Sequence, residues 1–272
     1  MKKATVDDLK MVQFEILKVV RDFCEENNLK YFLDCGTLLG AIRHKGYIPW
    51  DDDIDIGMLR EDFDKFITVF NEKMANTKYR CYCASNNDKF YYPYAKICDI
   101  STILYEPDEK GFKYHINIDL FPYDNAPDDK NKINKMFKKR TMLNRLNCIK
   151  NLRSFTLGKA KFLKKLIWLA ILPFPKNYFV KKTVKYIQKY KNSDCNLVGN
   201  FSCITNMTAE KSIFDSYIDV EFEGEKFKAP VGYDKWLKAF YNDYMQLPPV
   251  EKRVSHHYFL GYIPDEKEAS NE

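Results

Sequence analysis

The sequence predicts an α/β core interrupted by a helical, basic insertion. Three observations carry that expectation. Segments with apolar residues at helical spacing alternate with short runs rich in aromatic and β-branched residues. The chain holds 19 Tyr and 20 Phe, more than a disordered chain carries. Charge is also partitioned: residues 130–192 contain nineteen Lys or Arg and no Asp or Glu. Of 44 basic and 38 acidic residues, 25 basic (44 − 19) and all 38 acidic ones lie elsewhere, an acidic body of net −13. At 272 residues the chain suits one large domain. We take residues 1–272 as that domain and 128–195 as the helical basic insertion within it.

The elements follow in order. Thr5 with Asp8 forms a helix-start pattern, and Leu9, Val12, Ile16, Val19, Val20 and Phe23 continue at helical spacing to Glu25-Glu26-Asn27-Asn28. Tyr31–Asp34 is a short strand, Gly36 and Thr37 a turn, and Leu38–Arg43 a short helix that Gly46 and Pro49 break. Asp53–Met58 reads as a strand and Glu61–Met74 as a helix with Phe63, Phe66, Ile67 and Phe70 on one face. Further strands are expected at Tyr79–Ala84, Tyr91–Cys98, Thr102–Tyr105 and Tyr114–Leu120. The pattern after Pro127 is helical and basic to about Asn192. Tyr217–Phe222 and Lys226–Ala229 flank a Glu-Gly-Glu turn as a hairpin, and Tyr233–Tyr244 is helical.

The segment GTLLGAIRHKGYIPWDDDIDIGM, residues 36–58, concentrates the chemistry. Strand alternation puts Asp51, Asp53 and Asp55 on one face and Ile54 and Ile56 on the other. Burying three like charges without compensation costs on the order of several kcal/mol each, and a hard divalent cation such as Mg²⁺ removes that cost. A solvated acidic turn accounts for Asp51 and Asp52, but poorly for aspartates that alternate with isoleucines. An EF-hand does not fit: counted from Asp51, the required sixth-position glycine is Ile56 and the twelfth residue is Asp62. The eight cysteines lack a CxxC pair, which argues for reduced thiols rather than zinc. Gly36 lets the backbone approach an anion, and the N–H groups at the following helix start suit phosphate oxygens. Arg43, His44 and Lys45 add positive charge alongside.

These residues closely resemble the signature of the LicD family, and more distantly that of fukutin-related protein. The family pattern is a Gly-Ser or Gly-Thr turn, two aspartates alternating with apolar residues, and a third aspartate on a later strand. HINIDLFPYD supplies that third residue as Asp119, YYPYAKICDIST supplies Lys96, and DYMQLPPVEKRVSHH at Asp243–His257 also matches. The resemblance spans most of the chain and implies a nucleotidyltransferase-like mixed sheet in a single LicD-like catalytic domain. It also implies a phosphotransferase that moves a phospho-substituent from a nucleotide-activated, CDP-linked donor onto a glycan or lipid-linked glycan. Phosphocholine from CDP-choline is the leading case, with teichoic acid or lipopolysaccharide as the process. Asp53, Asp55 and Asp119 would be both catalytic and metal-binding, holding one or two Mg²⁺ ions, with Mn²⁺ as an alternative. Asp119 would also help deprotonate the acceptor hydroxyl. Two other readings stay open: nucleotidyl transfer to a small molecule or protein, and a silent anion- or glycan-binding module. Intact Asp53, Asp55 and Asp119 argue against the second.

Gly36, Thr37, Arg43, His44, Trp50, Lys96, His256 and His257 complete the donor- and phosphate-binding candidates. Each has a plainer alternative. Arg43 and His44 could be exposed cations, Trp50 a core residue instead of a base or choline platform, and Lys96 a snorkelling lysine. His256 and His257 could be a surface pair, and Asp124 the start of a turn at Asn125. Asp119, between Ile118 and Leu120, is harder to explain without a partner.

The basic segment has two readings of equal weight. LIWLAILPF, residues 166–174, is too short to span a bilayer but could lie in its interface beside lysines. Otherwise the segment is a subdomain packing Trp168, Leu169 and Ile171 against the core. Nucleic acid is excluded as a partner for want of any accompanying motif. MKKATVDDLK has no apolar run after its lysines, so no secretory signal is expected. The expected location is the cytoplasm, with peripheral contact at the inner face of the membrane as an extension.

Overall fold

The computed structural model describes residues 1–105, 114–151, 161–203, 206–254 and 260–265. In chain order the elements are β1 (Lys2–Lys3), α1 (Val6–Glu26), β2 (Phe32–Leu33), α2 (Cys35–His44), β3 (Asp55–Leu59) and α3 (Arg60–Lys73). There follow β4 (Tyr79–Tyr82), β5 (Ala95–Asp99), β6 (Ile103–Tyr105) and β7 (Asn117–Ala126). The basic segment forms α4 (Lys130–Lys150), α5 (Lys161–Ile171) and α6 (Tyr178–Ile187). The chain then runs through β8 (Leu197–Gly199), β9 (Ala209–Glu210), β10 (Tyr217–Phe222), β11 (Glu225–Pro230), α7 (Tyr233–Tyr241) and β12 (Leu260–Ile263).

The architecture is a nucleotidyltransferase-like mixed α/β fold. Its central sheet has the order β2-β3-β7-β5-β4, with β8 and β9 continuing from β7. β3 and β7 are parallel; β2, β5 and β8 run antiparallel to the strands they join. Helix α1 starts where expected, with Thr5 and Asp8 in a reciprocal capping box. Its inner face buries Ile16, Leu17, Val20 and Phe23, and the Phe23 ring meets Phe66 and Phe70 of α3 at 5.4 and 4.8 Å. The hairpin β10–β11 also forms as expected, turning through Glu223 and Gly224 at φ 52° and 80°, the left-handed pair a tight hairpin requires.

Several boundaries differ from expectation, four of them for a clear physical reason. Gly36 and Thr37 belong to α2 because Asp34 caps that helix, so the turn lies earlier. Asp53 precedes β3, whose ladder to β7 begins at Asp55. The run Tyr91–Tyr94 precedes β5, and its rings pack against one another and against Phe121 rather than joining a ladder. β7 extends to Ala126, so Asp124 starts no turn: it is fully buried in the strand and accepts two 2.7 Å hydrogen bonds from Arg60.

Helices α4–α6 pack together around Leu143, Ile171 and Phe179. Ile171 is buried as expected for a packed subdomain, but Leu169 is exposed and Trp168 half-buried. All eight cysteines are free thiols. Among the described residues, no helix is long and apolar enough to cross a membrane.

Candidate active site

The start of α2 anchors the site. Asp34 is fully buried and accepts from the Cys35 backbone N–H at 2.9 Å, the Tyr123 hydroxyl at 2.6 Å and the Trp236 indole N–H at 3.3 Å. Burial pushes its carboxyl above the ordinary range, and the three donors pull the other way. One side chain thus ties α2 to β7 and α7. Cys35 then takes φ 47°, a left-handed conformation that costs a non-glycine residue about 1 kcal/mol or more. Gly36 follows in the first helical turn. A Cβ there would stand 2.6 Å from Asp51 Oδ2, so the missing side chain is what lets the Asp51 carboxylate reach the positive end of α2. Thr37 is buried, and its Oγ1 accepts from the Asp55 backbone N–H at 2.8 Å. The helix therefore clamps the chain where the aspartates enter the sheet.

From Asp51 to Ile56 burial alternates: Asp52, Ile54 and Ile56 are buried, whereas Asp51, Asp53 and Asp55 are half-buried. The expected parity of the faces thus holds although the ladder begins only at Asp55. The parallel register pairs Asp55 with Asp119, and the antiparallel register on the other side of β7 pairs Asp119 with Lys96. Directly opposed residues project to the same face. Three adjacent strands therefore present a row of carboxylate, carboxylate and ammonium. The Lys96 Nζ donates to Asp119 Oδ1 at 2.7 Å and to Asn117 Oδ1 at 3.0 Å, with the Tyr92 and Tyr94 rings 5.2 and 5.8 Å away. Lys96 is 6% exposed, so it does not snorkel to solvent. Burial, and then the charges of Asp53, Asp119 and Asp34, push the Asp55 carboxyl well above its ordinary range. Among the described residues no three His, Cys, Asp or Glu side chains are already gathered into a cation cage.

Arg43 and His44 lie at the opposite end of α2. Arg43 donates to the carbonyls of Tyr244 at 2.7 Å and Gln246 at 3.4 Å, fastening the C-terminal segment. Burial and the Arg43 charge hold His44 below the ordinary histidine range. Trp50 packs against the main core, with the His44 ring 6.3 Å away and the Arg253 guanidinium 5.6 Å over its face. The structure thus joins Gly36, Thr37, Asp53, Asp55, Asp119 and Lys96 at one end of α2, and Arg43, His44 and Trp50 at the other. His256 and His257 lie outside the described residues.

Sequence reasoning missed several participants. Asp34 carried a signal, an aspartate directly before a helix, that was read as the end of a strand. Tyr241 ends α7 with 38% of its surface exposed, and its phenol is pushed up by desolvation and then by charges on Cys35, Asp34, Asp55 and Asp51. Cys203 interacts electrostatically with Asp55 and Cys35. The loop bearing it is held from α4 by Arg140, which donates to the Cys203 carbonyl at 2.5 Å and to Asn206 Oδ1 at 2.6 Å. No local pattern announces either contact.

The chain is similar to several known proteins. Residues 28–165 match the family described as LicD/FKTN/FKRP, nucleotidyltransferase domain. Over 97% of its length the chain is 33% identical to the lipopolysaccharide cholinephosphotransferase LicD of Haemophilus influenzae, covering 100% of that protein. It is also 44% identical over 48 residues to the human ribitol 5-phosphate transferase FKRP, a match to 18% of this chain and 10% of that one. An uncharacterized protein of Rickettsia prowazekii is 49% identical over 49 residues, 18% of each chain.

Proposed function

Because the chain belongs to the LicD family, and is thereby a transferase of LicD type, we propose that it moves phosphocholine from CDP-choline onto a cell-surface glycan or its lipid-linked precursor. The observation that carries this reading is the row Asp55, Asp119 and Lys96 across β3, β7 and β5, set against the start of α2. In the reaction an acceptor hydroxyl oxygen bonds to the choline-bearing phosphorus, the pyrophosphate bond breaks, and CMP leaves.

The donor set suits magnesium. Asp53, Asp55 and Asp119 offer hard carboxylate oxygens, and the carboxyl of Asp55 is raised first by burial and then by the neighbouring carboxylates, both of which a bound cation would offset. These three would hold one or two Mg²⁺ ions, or Mn²⁺. The bound metal would supply neutralisation of phosphate charge. The chain's own groups do the rest. Lys96 holds Asp119 at a fixed place through a 2.7 Å charge-assisted hydrogen bond. Asp119, so oriented, would take the acceptor proton. Thr37 fixes the Asp55 backbone. Gly36 keeps the first turn of α2 open to an acidic group, a place Asp51 takes here and a donor phosphate could take in turn. We place the enzyme at the cytoplasmic face of the membrane, where a lipid-linked acceptor is made.

Calorimetric titration of CDP-choline, CDP-ribitol, CDP-glycerol and CTP, with and without Mg²⁺, tests the proposal. Wild type is expected to bind CDP-choline best and only with metal, and Asp53→Ala/Asp55→Ala to lose that binding. Preference for another CDP-linked compound would replace choline with that group. Tightest binding of CTP would overturn the reading in favour of nucleotidyl transfer.

A further inference from the structure

A globular helix turns its apolar stripe inward and its polar residues outward. Helix α5 reverses this. At about 100° per residue, Phe162, Leu166 and Leu169 fall on one face, which Leu163 and Ala170 widen. That face points to solvent: Phe162 is 75% exposed, Leu163 56%, Leu166 46% and Leu169 50%. The inward face is apolar as well, with Ile171 buried and Ile167 packed against Leu143 and Phe179. Leu172 and Phe174, just past the helix, extend the exposed patch. Lys150 donates to the carbonyls of Ile171 and Leu172 at 3.1 and 2.7 Å, so the end of α5 is fixed to α4 and the patch is a built surface.

The surroundings identify its occupant. Exposed Lys165 lies beside the apolar face, Lys176 follows it and Lys182 stands on α6, whereas Lys181 is already paired with Asp88 at 2.9 Å. Residues 130–192 contain no acidic residue at all. A groove of about 610 Å³ between α4 and α5 repeats the pattern, with Phe137, Leu146, Ile149 and Ile167 inside and Lys138 and Arg145 at its edge. Apart from Asp88 against α6 the rim is basic, so a protein partner matched to this surface would need an apolar centre ringed largely by acid. An anionic bilayer supplies both at once: acyl chains for the aromatic and leucine side chains, headgroup phosphates for the lysines.

We propose that α5 docks the protein peripherally on an anionic lipid surface, its Phe162–Leu163–Leu166–Leu169 face entering the acyl boundary and the flanking lysines of α5 and α6 pairing with headgroup phosphates. This goes beyond the transfer reaction and does not depend on the identity of the donor.

Co-sedimentation of the full chain with phosphatidylcholine vesicles, with and without phosphatidylglycerol, tests it. Wild type is expected to sediment only with the anionic vesicles and to be released by high salt. Phe162→Ser/Leu166→Ser/Leu169→Ser should weaken that binding at least about tenfold. The circular dichroism spectrum and donor calorimetry of this variant should match wild type, since the three side chains face away from the core. Lys165→Glu/Lys182→Glu should weaken binding on anionic vesicles alone. Undiminished binding of the serine variant would overturn the proposal, as would equal binding to neutral vesicles. No binding by wild type, together with a dimer that the serine variant dissolves, would overturn it in favour of a second copy of the chain. Donor calorimetry needs no vesicle, so failure here and failure of the transfer reading are separate results.

Discussion

A lysine on a neighbouring strand decides what Asp119 can do. The Lys96 ammonium compensates a carboxylate that stands directly opposite Asp55. Lys96→Met keeps the apolar stem and deletes the charge. We expect transfer to fall at least about 100-fold, with the folded spectrum retained; turnover close to wild type would show that Lys96 is only structural. Strand alternation makes Asp53 and Asp55 conspicuous in the sequence and apolar neighbours do so for Asp119, whereas Lys96, and the grouping of Asp119 with the other two, were legible only through the resemblance to the LicD signature. Asp34 and the Arg60–Asp124 pair were not legible. Their partners lie 89, 202 and 64 residues away along the chain, and no periodicity reports a contact at that range. Asp124 shows the ambiguity well: next to an asparagine it reads as a turn residue, and only Arg60 from α3 makes a buried strand position tolerable.

Elements were legible where the local chemistry is self-sufficient. The capping box of α1 and the Glu-Gly turn of β10–β11 need no distant partner, and both formed as expected. β7 runs past its expected end at Leu120 with Pro122 inside it. In the sheet that proline falls between the β5 ladder, which ends at Leu120, and the β8 ladder, which begins at Asp124, where a missing N–H costs little. The tyrosines before β5 were read as strand formers, and instead they pack around Lys96. Helix α2 depends most closely on its surroundings. A Cβ on Gly40 would meet the Gly46 carbonyl oxygen at 2.4 Å, a backbone atom that cannot swing aside. Gly40→Ala should therefore cost about 1–3 kcal/mol in urea denaturation and displace the segment running from Gly46 to Asp53, lowering transfer more than its stability effect explains. A variant of wild-type stability and rate would disprove that the helix and this segment are locked together.

Across the whole molecule, function is set against stability. The aspartates gather on one face of an acidic body, where burial first and neighbouring carboxylates second raise the Asp55 carboxyl. Asp55→Asn removes one charge at nearly constant shape. The metal-free protein is then expected to gain about 1 kcal/mol, a rise of a few degrees in its thermal midpoint, while losing its stabilisation by Mg²⁺ and donor. A midpoint that falls would mean Asp55 serves the fold. The charge partition was plain in the sequence, but the outward turn of the apolar face of α5 was not. A stripe is visible in any helical reading, whereas the side that gets covered depends on neighbours that the stripe does not name.

The basic appendage leaves the sheet after Ala126 and returns at Leu197, and these two residues are partners in one antiparallel ladder. Both roots therefore lie a strand's width apart, about 4.8 Å. Removing or exchanging everything between them would require only a tight turn to reseal the chain, with no strand rethreaded, provided the replacement again supplies the hold that Arg140 has on the Cys203 loop. Such a layout separates inheritance of the chemistry from inheritance of the address. Descendants of one transferase could be sent to different surfaces by trading a single cassette.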